Sequence, residues 1–121
     1  MPYNKIRFID RKAFEGLFNL KVLDLHRNRL ESINGFPGQS LEELDLSHNN
    51  ISSIDKNAFH GLDKLTLLNL DNNHLVTLEE CLFEPFMNKT GLKVNIHGMQ
   101  LKTSLQLHFC MDGSSLANLK Y

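Results

Sequence analysis

Apolar side chains recur along this chain on a fixed ruler. Leu20-xx-Leu23-x-Leu25-xx-Asn28-x-Leu30-xx-Ile33 is followed by Leu41-xx-Leu44-x-Leu46-xx-Asn49-x-Ile51-xx-Ile54, then by Leu65-xx-Leu68-x-Leu70-xx-Asn73-x-Leu75-xx-Leu78. The Leu-x-Leu step is strand alternation, so Leu23 and Leu25 turn to one side while Asp24 and His26 turn to the other. One such strand cannot bury its apolar side alone; stacked copies bury a continuous aliphatic core behind a parallel sheet. The asparagine falls at the corner after the strand, where backbone groups need partners. Its amide both donates and accepts, so Asn28, Asn49 and Asn73 are expected to form a ladder that ties successive turns together. The return path carries matched anchors: Ala13, Phe14 and Leu17, then Ala58, Phe59 and Leu62, then Leu82, Phe83 and Phe86. These phenylalanines are expected to form a spine on the far side.

The ruler resembles the leucine-rich repeat, whose period runs from about 20 to 29 residues. Phe59-x-Gly61-Leu62 is similar to the return segment of its extracellular class, of about 24 residues. The resemblance implies an α/β solenoid: a horseshoe segment with a short parallel sheet on its concave face and irregular or 3₁₀ return segments. Residues 1–101 read as the repeats, with a partial first repeat 1–19, repeats from 20, 41 and 65, and a degenerate one about 91–101, where Val94-x-Ile96-xx-Met99 puts methionine in the asparagine position. Starts at Leu20, Leu41 and Leu65 give steps of 21 and 24 residues, the short one coinciding with the tight Asn34-Gly35-Phe36-Pro37-Gly38 connection.

Residues 102–121 read as an abbreviated C-terminal flank. Cys110-Met111-Asp112-Gly113-Ser114 is similar to the far end of the cysteine-bearing flank of arthropod secreted repeat proteins, the family that includes the non-catalytic subunit of oplophorus luciferin monooxygenase. Their usual Cys-x-Cys pair is absent. Cys81 and Cys110 either pair with one another or have lost their mates with the missing flank. With a start in mid-repeat and a shortened flank, the chain reads as a fragment or abbreviated product of a longer secreted or cell-surface protein.

Composition narrows the function. Thirteen basic residues against 14 acidic ones give a net charge of −1, which disfavours a nucleic-acid footprint. No apolar run approaches the roughly 18 residues of a membrane span, and Met1-Pro2-Tyr3-Asn4-Lys5 opens no signal peptide. The sequons Asn88-Lys89-Thr90 and Asn50-Ile51-Ser52 are candidate glycan acceptors.

The solvent rows of the sheet are Lys21, Val22, Asp24, His26 and Arg27; Glu42, Glu43, Asp45, Ser47 and His48; and Thr66, Leu67, Asn69, Asp71 and Asn72. Asp24, His26, Arg27, Glu43, Asp45, His48, Asn69 and Asp71 are the candidate partner-binding residues, on a face without Trp or Tyr, the usual interface anchors. His26, Asp45 and His48 approach one another across two strands, but no HExxH or CxxC accompanies them, so neither metal nor cofactor is expected. No phosphate loop, nucleophile elbow or facing carboxylate pair supports an enzyme. The expected function is non-enzymatic recognition of an extracellular protein through the concave face. The resemblance implies as alternatives an accessory subunit that stabilises an enzyme, or a fragment without independent function.

Overall fold

The computed structural model describes residues 3–10, 12–17, 19–36, 40–55, 57–76, 91–98 and the backbone of 119–120. Its strands are β1 (Val22–Asp24), β2 (Ser32–Ile33), β3 (Glu43–Asp45), β4 (Ser53–Ile54), β5 (Leu67–Asn69), β6 (Lys93–Asn95) and β7 (Leu119–Lys120). A five-stranded parallel sheet runs in the order β1-β3-β5-β6-β7, and β2 pairs with β4 in a second, two-stranded parallel sheet. Consecutive rungs are thus neighbours in space, as expected of a repeat solenoid.

The core follows from the alternation. Leu23, Leu44, Leu68 and Val94 are in register and buried, one from each of four rungs. Leu25, Leu46, Leu70 and Ile96 bury beside them, and Leu30, Ile51 and Leu75 close the corner. On the return path Ala58, Phe59 and Leu62 are fully enclosed. The chain there advances by i to i+3 bonds: the Ala58 N–H donates to Asp55 O, His60 to Asn57 O and Leu62 to Phe59 O. Gly61 takes φ +87° in this turn, a value that side chains rarely adopt.

The first return segment departs from the expected spine. Phe14 is only partly buried, Ala13 is exposed and Leu17 is 50% exposed. They belong to the terminal coil of the described stack and so have a covering neighbour on one side only. In the short second repeat, which lacks an Ala-Phe-x-Gly-Leu segment, Phe36 is buried with Phe59 in the core instead. Phe83 and Phe86 lie outside the described residues.

The end of the segment read as a flank reaches the sheet. β7 pairs with β6 with Val94 opposite Leu119 and Asn95 opposite Lys120, adding a rung to the sheet. The sequence carries the signal: Leu116-xx-Leu119-x-Tyr121 repeats the Leu-xx-Leu-x-Leu step.

The corner asparagines are almost fully enclosed, and each joins two rungs. Asn49 Oδ1 accepts the Leu30 N–H at 3.1 Å, while its Nδ2 donates to Leu25 O and Leu46 O, both at 3.0 Å. Asn73 repeats this: Oδ1 accepts the Ile51 N–H at 3.0 Å, and Nδ2 donates to Leu46 O and Leu70 O. Asn28 accepts from Ile6 N–H and donates to Leu25 O. The residue before each asparagine is left-handed: Tyr3, Arg27, His48 and Asn72 have φ between 55° and 60°. The last such corner uses Gly98, at φ +72°.

Asn49→Leu leaves the buried Leu30 N–H and the carbonyls of Leu25, Leu46 and Ser47 without their amide partner. We expect a loss of about 3 kcal/mol or more, read in urea as a lower midpoint at unchanged slope. A Cβ at Gly98 meets the Asn72 amide, and an L-residue is disfavoured at its φ. Gly98→Ala is therefore expected to cost about 1–2 kcal/mol by the same measurement.

Candidate functional site

The sheet buries its aliphatic side and presents the other as a polar surface. Pairing sorts its residues into columns. Asp24, Asp45, Asn69 and Asn95 form one; Val22, Glu43, Leu67 and Lys93 form another. Just beyond the strands, Arg27 N–H donates to Ser47 O, His48 N–H to Asp71 O and Asn72 N–H to His97 O, which carries the same register into the corner.

The first column has a local task. Asp24 Oδ1 accepts the His26 backbone N–H at 3.1 Å and lies 2.5 Å from its Nδ1. Asp45 Oδ1 accepts the Ser47 N–H at 3.0 Å and its hydroxyl at 2.6 Å. Asn69 Oδ1 accepts the Asp71 N–H. Each side chain thus fixes the turn two residues ahead, as Asx residues do where strands end. Asp71 in turn accepts the His97 N–H at 2.6 Å, with the His97 ring nitrogen 3.3 Å away.

Other side chains lie apart from their expected positions. Ser47 is buried rather than solvent-facing, because its short hydroxyl folds back onto Asp45. His48 reaches Asn72, with Nε2 3.3 Å from Nδ2, instead of converging with His26 and Asp45. Among the described residues the group that does converge is Asp24, His26 and Asp45, whose ligand atoms all lie within 4.8 Å of one another. Glu43 is exposed, flanked in register by exposed Val22 and partly covered Leu67.

The face also gains an aromatic ring. Tyr3 meets the His26 ring edge-on with centroids 5.0 Å apart, and Arg27 lies over the Tyr3 ring at 5.6 Å. The clue in the sequence is positional: Tyr3 precedes Asn4 as Arg27 precedes Asn28, and both take the same left-handed backbone.

Burial raises the Asp24 pKa, but the hydrogen bonds from the His26 side chain and backbone, with the attraction of its charge, outweigh that and leave the carboxyl below its ordinary value. Of the sequons, Asn50-Ile51-Ser52 has exposed Asn and Ser flanking a buried Ile51, with Asn50 Oδ1 3.2 Å from His74 Nε2. Asn88, Cys81 and Cys110 lie outside the described residues.

A family profile described as leucine rich repeat matches residues 2–38 and 35–75, more than half of the chain. The chain belongs to the leucine-rich repeat family. Repeats of this family typically act as non-catalytic modules for protein–protein interaction. No curated protein matches the chain significantly. Among the described residues no helix is long and apolar enough to cross a membrane.

Because the folded Asp24 carboxyl is more acidic than in the unfolded chain, its stabilisation is complete above the ordinary carboxylate range. It is lost as pH falls through the lower folded value. Asp24→Asn is therefore expected to flatten the acid limb of the stability curve, measured by urea unfolding from neutrality down to about pH 3.

Proposed function

We propose that this chain is a non-enzymatic recognition module that binds a partner protein through the solvent face of its parallel sheet. The observation that carries this reading is the in-register polar surface, backed at the β1, β3 and β5 rungs by a closed aliphatic core and a hydrogen-bonded corner. Such a face is held in place before a partner arrives, which limits the ordering cost of binding. Strands spaced about 4.8 Å apart, against bulkier return paths, favour curvature into a horseshoe with the sheet on the concave side. The i to i+3 bonds of the return path support 3₁₀-like turns there.

In this reading Arg27, Glu43 and His48 supply reaching, exposed contacts. Asp24, Asp45, Asn69 and Asp71 offer what their turn bonds leave available. Tyr3 adds an aromatic anchor at one end, stiffened by Arg27 and His26. Action outside the cell is part of the proposal and rests on the resemblance to the extracellular repeat class. The exposed Asn50 sequon is compatible with it.

A test should spare the residues that fix turns. Glu43→Lys combined with His48→Ala changes two exposed side chains, neither of which caps the turn after its strand. We expect this variant to melt like the parent, yet to lose about tenfold or more in affinity for a partner recovered from extracellular fluid. Retention of the partner at parental affinity would sink the strand-face assignment. Recovery of an enzyme, rather than a receptor or matrix protein, would move the reading to an accessory subunit.

A further inference from the structure

We propose that Asp24, His26 and Asp45 bind a divalent transition-metal ion of the zinc class at the β1–β3 end of the strand face. This inference does not depend on the partner-binding reading. Two features lead to it. One is convergence: an imidazole nitrogen and two carboxylate groups, all partly buried, offer ligand atoms within 4.8 Å of one another. Zinc holds such ligands at about 2.0–2.2 Å, which spaces them roughly 3.3 Å apart in a tetrahedral shell, so modest side-chain rotation closes the site.

The second feature is register. Strand pairing sets Asp24 directly against Asp45, so two carboxylates from adjacent rungs flank one position. The following rungs place Asn69 and Asn95 in the same column. Two residues on, the other rungs carry Ser47, Asp71 and His97. His26 is thus the imidazole that stands beside two in-register carboxylates. An ion between the three groups takes the place of the proton held between His26 Nδ1 and Asp24 Oδ1 and gives the two carboxylates a common positive partner.

The donor set selects the ion class. Calcium takes six to eight oxygens, whereas a mixed imidazole and carboxylate set suits a first-row divalent ion. The turn bonds to Asp24 and Asp45 orient both carboxylates as outer-shell partners do in metal sites. Three protein ligands leave a fourth position for water or an incoming side chain.

Zinc chloride titrated calorimetrically into the chelator-treated full chain tests the site. One ion per chain is expected, with His26→Gln and Asp45→Asn each weakening binding by about tenfold or more and exposed His60→Gln leaving it unchanged. Both test variants keep a hydrogen-bonding group at the turn, and their circular dichroism and melting confirm folding. Cobalt should give a visible d–d spectrum without a thiolate charge-transfer band. The proposal is overturned if no saturable binding occurs, if folded His26→Gln and Asp45→Asn bind like the parent, or if the cobalt spectrum shows Cys81 or Cys110 as ligands.

Discussion

The amide of a buried asparagine, shared between two rungs, is the constraint on which the rest of this molecule depends. A chain that turns out of a strand and returns behind it must bury backbone groups at the bend, and each without a partner costs on the order of 1–3 kcal/mol. Asn49 and Asn73 answer that need with one accepted bond and at least two donated ones; the accepted bond and one donated bond of each cross to the preceding coil, and another donated bond closes its own turn. The same side chain therefore finishes a turn and fixes the spacing of the stack. Leucine packing supplies the driving force, but it has no direction of its own; the amides convert it into a register.

That register makes the polar face. Once Leu23, Leu44, Leu68 and Val94 are aligned, the residues beside them are aligned as well, and Asp24 has no choice but to face Asp45. The face also carries internal duties, since Asp24, Asp45 and Asn69 each hold the turn that follows. Recognition and folding share these side chains. Glu43 and His48, exposed and outside those capping bonds, are therefore the places where binding can change at little cost to the fold.

Periodicity made the strands, their parallel order and the columns legible in the sequence, because alternation and spacing act at every copy. What it did not reveal depends on side-chain reach. Ser47 and His26 hold the same position in the ruler, but a hydroxyl short enough to fold back is buried, whereas an imidazole stands out beside a second carboxylate. Phe36 fills the core from a connection with no repeat-like anchor, so only its burial reveals its role. Tyr3 escaped because its contacts with His26 and Arg27 are set by side-chain reach between neighbouring corners, which the ruler does not record. β7 escaped because Leu116-xx-Leu119-x-Tyr121 carries the step without the corner asparagine that marks the other copies.

Unequal steps between rungs bear on how such a chain can diversify. The in-register positions Leu23, Leu44, Leu68, Val94 and Leu119 lie 21, 24, 26 and 25 residues apart, yet they meet in one sheet. The shortest of these steps is accommodated behind the sheet, where Phe36 stands in for a whole anchor segment. Evolution is thereby free to lengthen, shorten or decorate the back of the molecule while selection acts undisturbed on the front.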